Sequence, residues 1–269
     1  MDRWTRLAGC ARRAYKWFYS VRSMEISLEL AKLIGIHMGD GCISVTDKYS
    51  EYALSGDITE EVEYYDNYIV PLYNKLIFQP LIRKNIFPKR YEKNSSYGFF
   101  VFNKTVVDFF LKLGLKKGSK LDMEIPFEIR NNPKLWPYFL RGIFDTDGTL
   151  YFNKNYSVKK QNQRHNQARI RLGLTSKKVI EQIYSMLTKL DFHPYLKPAY
   201  KGKRDLNPIY SIMIQRKGEV IRFINEIGFD SIKHLTKWQI YQKCSYCPPH
   251  TTLAQRYELL LPKKQTKDL

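Results

Sequence analysis

The sequence predicts an α+β fold built from two copies of one unit, each with the order α-β-β-α-β-β-α. The first observation is a pair of similar segments, "GIHMGDG" at 35–41 and "GIFDTDG" at 142–148, each ending an apolar run on Asp-Gly. The second is that the same series of helix-like and strand-like patterns follows each segment. The third is composition: 43% apolar residues in 269 are enough for a sizeable core.

The first copy begins with "ISLELAKLIGIHM", in which Leu30, Leu33 and Ile34 give one apolar helix face after a Ser27 N-cap. Strands are predicted next at "CISV" and "EYALSGDIT", followed by a helix at "EEVEYYDNYIVPLYNKLI". Two more strands, "PLIRKNIF" and "YGFFVFN", precede a helix at "KTVVDFFLKLGL". The alternation of apolar and polar residues in these strands predicts one buried face.

The second copy repeats this order after Gly148. Its predicted elements are "TLYF", "ARIRLGLTS", "KKVIEQIYSMLTKLDF", "PYLKPAY", "IYSIMIQ" and "KGEVIRFINEIGF". In the second of these, Ile170, Leu172 and Leu174 are expected to face the helices, while Arg169 and Arg171 face outward. Its first hairpin is longer, because Asp40 and Gly56 are 16 residues apart but Asp147 and Gly173 are 26 apart.

Small residues are spaced four apart in both helices that end at the Asp-Gly pairs. They are Gly35 and Gly39 in the first copy, and Gly142 and Thr146 in the second. Glycine inside a helix costs about 0.5–1 kcal/mol relative to alanine, so a spaced pair needs a structural reason. Close approach of a second helix is that reason, and we expect these four residues to form the interface between the two motif helices.

Asp40 and Asp147 would then lie side by side at the C-terminal ends of the paired helices. The helix dipole and the neighbouring carboxylate both disfavour an ionised acid there. A divalent cation reverses this balance, since Mg²⁺ prefers hard oxygen ligands. A single Asp-Gly is more often a plain helix end. Two at matching places in a repeat favour a metal site.

The charge balance indicates a polyanionic partner. There are 45 Lys and Arg against 26 Asp and Glu, a formal net charge of +19. Nucleic acid is the usual partner of such a chain, although a solvated basic surface would give the same composition. The excess lies in the second copy, where residues 151–204 hold 13 basic and 2 acidic residues, against 8 and 8 in residues 41–104.

Four cysteines are too few for a disulfide framework in a chain of this length, which predicts a reducing, intracellular location. That location is the cytoplasm of a prokaryote or the interior of an organelle. Cys244, Cys247 and His250 could supply three zinc ligands, but no fourth completes the set. Apolar runs end well before the ~18 residues that a membrane span needs, so no membrane association is expected.

The segments "LAKLIGIHMGDG" and "YFLRGIFDTDG" resemble the two motifs of single-chain LAGLIDADG homing endonucleases. The first differs at His37 and Met38, where that family often has acidic or small residues. The resemblance implies two pseudo-symmetric αββαββα halves that pack through their motif helices, with antiparallel sheets forming a DNA-binding saddle. The boundaries it suggests are a basic N-terminal extension at 1–23, repeats at 24–130 and 131–243, and a C-terminal extension at 244–269.

The resemblance also implies roles for particular residues. Asp40 and Asp147 would bind divalent metal, assisted by the carbonyl groups of Gly39 and Thr146. Both acids would therefore be catalytic.

The family usually has one basic residue in each half near the scissile phosphates. The matching positions are Lys120 in the first half and Lys233 in the second, with His234 or Lys237 as alternatives to the latter.

The implied activity is hydrolysis of both strands of a long, asymmetric DNA duplex by a monomer that uses Mg²⁺ or Mn²⁺. Ca²⁺ is expected to bind without supporting cleavage. A chain with its own Met1 and no flanking splice residues favours an intron-borne gene over an intein. The alternative is a non-cleaving binder of the same fold, such as an intron splicing maturase that contacts intron RNA, or a regulator. An unrelated metal-dependent phosphoesterase is a weaker rival, because the five His residues form no metal motif.

Arginine donates two hydrogen bonds to guanine in the major groove, and glutamine suits adenine, so the basic and amide residues of both copies are candidate DNA contacts. They are Lys48, Arg83, Lys84, Lys154, Lys159, Lys160, Gln161, Gln163, Arg164, Arg169, Arg171, Lys197, Lys201, Lys203 and Arg204.

Overall fold

The computed structural model describes residues 25–203 and 205–262. Within them the predicted repeat is present, and each copy has the order α-β-β-α-β-β-α. The first comprises α1 (Leu28–Asp40), β1 (Gly41–Val45), β2 (Ser50–Asp57), α2 (62–82), β3 (Lys89–Tyr91), β4 (Ser96–Phe102) and α3 (Lys104–Lys112). A short helix, α4 (Phe127–Arg130), lies in the connection to the second copy.

The second copy comprises α5 (Trp136–Thr146), β5 (Gly148–Lys154), β6 (His165–Leu174), α6 (Lys177–Lys189), β7 (Tyr195–Tyr200), β8 (Ile209–Ile214) and α7 (Lys217–Glu226). Two further helices follow, α8 (Ile232–Cys244) and α9 (Leu253–Leu260). The predicted boundary at 130/131 coincides with the end of α4. The domain limits remain predictions, and the extension at 1–23 lies outside the described residues.

Each copy forms a four-stranded antiparallel sheet, with the orders β1-β2-β4-β3 and β5-β6-β8-β7. One face of each sheet is buried and the other is open. Along β6, for example, Ala168, Ile170, Leu172 and Leu174 are buried, whereas the residues between them are half-exposed. The helices cover the apolar face of each sheet, and their buried side chains form one continuous core.

The two motif helices α1 and α5 pack directly against each other through their small residues. A Cβ added to Gly35 would overlap the carbonyl oxygen of Phe139 and lie 2.9 Å from the amide nitrogen of Ile143. A Cβ added to Gly142 would overlap the carbonyl oxygen of Lys32. The backbones therefore touch where the glycine spacing predicted a helix contact, and the N-cap at Ser27 is formed as well, at 3.1 Å from Leu30 N to Ser27 Oγ.

The strand predicted at "PLIRKNIF" is wrong. Helix α2 continues to Ile82, and Arg83 ends it in the left-handed region with φ 54°. Pro71 and Pro80 each stand two residues after a π-helical stretch, at Tyr65–Ile69 and Asn74–Phe78. Proline lacks an N–H and crowds the carbonyl four residues back, and a widened turn relieves both problems. The helix therefore continues through Pro80, where the sequence pattern predicted its end, as it does through Pro71.

Candidate active site and nucleic-acid interface

Asp40 and Asp147 meet at the C-terminal ends of the paired helices. Asp40 is the last residue of α1, and Asp147 is the C-cap of α5. A Cβ built on Gly39 would lie 2.7 Å from Thr146 Cβ and 3.4 Å from Asp147 Oδ2. Residues 39–40 and 146–147 thus face each other across the helix contact. Both acids are half-buried, and Tyr65 donates its hydroxyl to Asp40 Oδ2 at 3.2 Å.

The electrostatics of this pocket disfavour two ionised carboxylates. Burial raises the pKa of Asp40 well above its ordinary value, and the charges of Glu61 and Asp147 raise it further. Burial also raises the pKa of Asp147, although Lys120 and Lys233 oppose this. A hard cation would offset the repulsion. No cluster of three or more His, Cys, Asp or Glu suited to a metal occurs among the described residues. A site with two carboxylates suits Mg²⁺, which usually keeps several of its waters.

Lys120 lies beside the first acid, although it comes from the connection between the copies. Its ammonium donates to the carbonyl oxygen of Gly39, the residue before Asp40. The loop that carries it is anchored on β1, where the amide of Gly118 donates to Ile43 O at 2.9 Å. Burial lowers the pKa of Lys120, while both aspartates raise it.

Lys233, in the first turn of α8, takes the matching place beside the second acid. Its Nζ donates to Thr146 O at 2.8 Å and to Glu61 Oε1 at 2.5 Å. Each copy thus holds a lysine on the carbonyl that precedes its aspartate. A carbonyl oxygen has two lone pairs, so one remains available on Gly39 and on Thr146.

The two alternatives to Lys233 lie elsewhere. His234 is buried in the core beneath Leu150, whose amide lies 3.4 Å from His234 Nδ1, and burial lowers its pKa well below the ordinary value. Lys237 is one turn further along α8 and lines a cavity next to the C-terminal residues.

Glu61 is a site residue that the sequence reasoning missed. It is buried at the start of α2, where its Oε2 accepts from Asp57 N at 2.6 Å while Oε1 accepts from Lys233. An acid at a helix start normally indicates only favourable interaction with the dipole, so its sequence context gave no signal. The aligned position in the second copy is Lys178, which pairs instead with Glu124 at 2.6 Å. The centre is therefore chemically asymmetric.

Asp145 supports the second half of the site from the core. Its Oδ1 accepts from the amides of Asp230 and Ser231 at 2.9 and 3.0 Å, and its Oδ2 accepts from Tyr64 at 3.0 Å. Burial raises its pKa to about 7. These bonds fix the turn that leads into α8 and so position Lys233. The two motif segments align Asp145 with Met38, so Asp145 has no acidic counterpart in the first copy.

The open face of the second sheet presents the predicted β6 side chains. Arg171 donates to Ser211 Oγ from Nε and Nη2 at 3.2 and 3.0 Å, and Arg169 donates from Nη1 to Gln215 Oε1 at 2.6 Å. Polar neighbours thus orient both guanidinium groups on the surface. A guanidinium group has five N–H donors, so each arginine keeps further donors for a base edge or phosphate.

The other candidate DNA contacts are distributed around the two sheets. The end of β5 and the β5–β6 loop hold six of them, all exposed except the half-buried Gln163: Lys154, Lys159, Lys160, Gln161, Gln163 and Arg164. Lys197 is on β7, and Lys201 and Lys203 are in the loop that follows it. Arg204 lies outside the described residues.

The first-copy candidates lie away from the two acids. Lys48 is in the β1–β2 turn, and Arg83 and Lys84 follow α2. Helix α2 begins beside Glu61 and runs for residues 62–82, or about 30 Å at 1.5 Å per residue. Arg83 and Lys84 are therefore far from the central pocket. Only a long ligand could contact both these residues and the pocket.

The C-terminal strap, residues 245–261, ties the second copy to the first. The buried Arg256 contacts Glu60 and donates to Thr236 Oγ1 at 2.9 Å, and the amide of Leu253 donates to Glu60 Oε1 at 3.0 Å. Glu60 immediately precedes Glu61, so the strap holds the start of α2 against α8. Between the strap, β5 and this turn lies a cavity of about 650 Å³.

The fold is similar to that of several known proteins. Residues 138–228 match the family model of a LAGLIDADG-like domain. The homing endonuclease I-DmoI in complex with DNA and Mn superposes with a TM-score of 0.53 at 18% identity, covering 76% of this chain and 98% of that one. The homing endonuclease I-LtrWI bound to its target DNA gives 0.53 at 12% identity, covering 82% and 90%. Meganuclease I-SmaMI bound to uncleavable DNA gives 0.52 at 13%, covering 80% and 88%.

A curated relative, the replication factor C small subunit of Methanocaldococcus jannaschii, is 29% identical over 211 residues, which are 78% of this chain. The chain spans about a tenth of the length of that relative.

The chain has the fold of the single-chain, two-motif LAGLIDADG homing endonucleases. Its second copy contains a LAGLIDADG-like domain. The resemblance found in the two motif segments is confirmed. No helix among residues 25–203 and 205–262 is long and apolar enough to cross a membrane.

Proposed function

We propose that the chain is a site-specific endonuclease that hydrolyses both strands of a long, asymmetric DNA duplex with the help of divalent metal. The observation that carries this proposal is the arrangement of Asp40 and Asp147 with Lys120 and Lys233. Each half supplies one acid and one lysine to a common pocket between two sheets with open faces. Two half-sites, each with one acid and one lysine, suit a reaction on two strands.

Asp40 and Asp147 would hold the metal, with the Gly39 and Thr146 carbonyls as further oxygen ligands. Bound there, Mg²⁺ or Mn²⁺ would activate a hydrolytic water and offset charge on the leaving oxygen. Structures of I-DmoI with DNA are described as containing Mn or Mg, which supports this choice. Ca²⁺ would bind without promoting cleavage.

The lysines act on the phosphates. Lys120 and Lys233 are held on backbone carbonyls, so each ammonium is oriented before DNA arrives and would stabilise the charge that develops on one scissile phosphate. Glu61 keeps Lys233 in place through the ion pair at 2.5 Å. Asp145 and the Asp230–Ser231 amides fix the backbone from which Lys233 extends.

The experiment is a cleavage assay on a duplex library that contains candidate target sites, with Mg²⁺ or EDTA, for the wild type and Asp147→Asn. Double-strand cuts at one long site, dependent on Mg²⁺ and lost in the variant, are the expected result. Footprinting should show asymmetric protection by a monomer. Specific binding without cutting on the bound site would instead establish a non-cleaving binder, and preferential binding of folded RNA would establish a maturase.

We further propose that the protein acts inside the cell, where mobile introns reside, and that the repeats span 24–130 and 131–243. The strap belongs to the extension after the second repeat. Limited proteolysis of the full chain tests these limits, because cuts between the proposed repeats should precede cuts within either repeat.

A further inference from the structure

The open face of the first sheet carries a group of aromatic side chains. We call this group the aromatic face, and it consists of Tyr49, Ala53, Tyr91, Phe100 and Phe102. Phe102 is 67% exposed and Phe100 is 39% exposed. The rings contact one another edge to face, with centroids 5.8 Å apart for Tyr49 and Phe102 and 4.9 Å for Tyr91 and Phe100. Aromatic side chains grouped in this way on an open sheet usually mark an interaction surface.

Charge on this face is low and slightly negative. In the strands β1 to β4, the residues that share the face by register include only three charged ones, Glu51, Asp57 and Lys89, with a net charge of −1. The corresponding face of the second sheet carries Arg169, Arg171 and Lys197. The two sheets share one topology but present opposite chemistry.

The aromatic face is continuous with the proposed DNA site. Strand β1 begins at Gly41, directly after Asp40, and β5 begins at Gly148, directly after Asp147. A duplex whose two strands reach both acids must therefore run along the open faces of both sheets. Three exposed basic residues lie at the rim of the first sheet, where the phosphates of a bound duplex would pass: Lys48, Arg90 and Lys93. A protein partner would have no need of this charged rim.

We propose that the aromatic face reads thymine methyl groups, so that the half-site under the first copy is rich in A·T pairs while the second copy reads guanines and adenines through β6. This inference rests on the proposed function. Apolar side chains recognise thymine in the major groove by contact with its 5-methyl group, and neither Phe100, Phe102 nor Ala53 can hydrogen-bond to a base edge. Strand β4 is 7 residues long, about 24 Å, and so extends over several base pairs.

The test exchanges thymine for deoxyuracil, which removes the methyl group and keeps the Watson–Crick pairing. The full chain first selects a target from a randomised duplex library in EDTA, with cleavage of that target checked in Mg²⁺. Arg171→Ala then identifies the half-site under the second copy, because base preference should relax there alone. Uracil is finally placed in one half-site at a time and affinity is measured.

We expect uracil in the first half-site to weaken binding about fourfold for each contacted methyl group, which is the effect of one buried methylene-sized group. The same exchange in the second half-site should change affinity less than twofold. Phe102→Ser and Phe100→Ser should lose the sensitivity to uracil. Phe127→Ser, which alters a 66% exposed ring on α4, should keep it.

The outcomes separate this inference from the proposed function. A selected and cleaved target that tolerates uracil in both half-sites overturns the inference alone. Failure to select any DNA sequence overturns both. Sensitivity to uracil that persists in both Phe100→Ser and Phe102→Ser, with thermal unfolding unchanged, also overturns the role of the aromatic face.

Discussion

Glu61 and Lys233 are joined across the two copies of the repeat, with 2.5 Å between Oε1 and Nζ. The lysine is simultaneously bonded to the carbonyl of Thr146 at 2.8 Å. Both side chains are largely buried, at 6% and 16% relative exposure. A single ion pair therefore links the start of α2 to the second half of the proposed catalytic pocket.

Breaking this pair from one side should destabilise the protein strongly. Glu61→Ala or Lys233→Ala leaves one buried charge without its partner, at a cost of about 3 kcal/mol in the free energy of unfolding. The double variant should lose clearly less than the sum of the two single losses. Urea unfolding of the three variants measures the coupling. The exposed pair Lys177–Glu181 is the control, where the coupling should stay below about 0.5 kcal/mol; equal coupling in the two cycles would contradict the prediction.

Asp40→Asn should abolish cleavage and yet stabilise the metal-free protein. The folded-state pKa of Asp40 lies above its unfolded value, so folding favours the neutral form. At neutral pH the ionised Asp40 carboxylate destabilises the folded state, and the neutral amide of Asn does not. The melting temperature in EDTA should therefore rise. The cleavage rate in Mg²⁺ should fall at least about 10³-fold, as for loss of a preorganised charge partner. A lower melting temperature would show that the carboxylate is needed for the fold.

The raised pKa values of the two aspartates also predict how the stability of the protein depends on pH. Because the pKa values of Asp40 and Asp147 are both raised, the unfolding free energy of the metal-free protein should gain from these groups as pH falls through their folded pKa values. Metal binding should show the opposite trend, since protons compete with the cation for the carboxylates. Unfolding and Mn²⁺ titrations across acidic to neutral pH, compared with Asp40→Asn, measure the two slopes. Parallel slopes with and without metal would refute the assignment.

Adding one methyl group between the motif helices should strongly destabilise the protein. Gly35→Ala and Gly142→Ala place a Cβ onto a carbonyl oxygen of the opposite helix. The two helices must then move apart, which should lower the free energy of unfolding by about 3 kcal/mol or more. Gly218→Ala is the control, since its Cβ would meet nothing within 4 Å in α7. That variant should be neutral or slightly stabilising. Thermal unfolding distinguishes the cases, and an unchanged melting temperature for Gly35→Ala would mean that the helices do not touch there.

Base-reading and phosphate-binding residues should respond differently to substitution. Arg171→Ala should cost about 1–3 kcal/mol on the preferred target and relax preference at one position. Lys160→Ala, in the exposed β5–β6 loop, should weaken all duplexes similarly and reduce the slope of log affinity against log salt by about one. Affinities at several salt concentrations on preferred and scrambled duplexes provide the measurement. Uniform weakening by Arg171→Ala would make Arg171 a phosphate contact.

Much of the fold could be predicted because each element of the repeat occurs twice in the sequence, so that the pattern in one copy supports the prediction in the other. The small residues in α1 and α5 indicated a helix contact, and that contact necessarily brings together the acids that end both helices. Residues 80–87 were misread because a short apolar run with a proline suits either a strand or a helix end. The π-helical turns that admit Pro71 and Pro80 leave no pattern in the sequence.

Contacts between distant segments were the part that sequence reasoning could not supply. Glu61 reaches Lys233 across 172 positions, and Glu60 reaches Arg256 across 196. Neither Glu60 nor Glu61 belongs to a recognisable motif. The role of each depends on the residue that the tertiary fold places opposite it. His234 shows the converse, since an attractive residue type beside Lys233 is part of the core.

The unequal pair Glu61 and Lys178 bears on how such a chain can arise. Two identical copies of the first half would bring two buried glutamates to the centre, and two copies of the second half would bring none. An arrangement with one glutamate requires two halves of different sequence, and a single polypeptide that carries both copies provides them. In the proposed reaction, each strand of the duplex would then meet its own chemical environment.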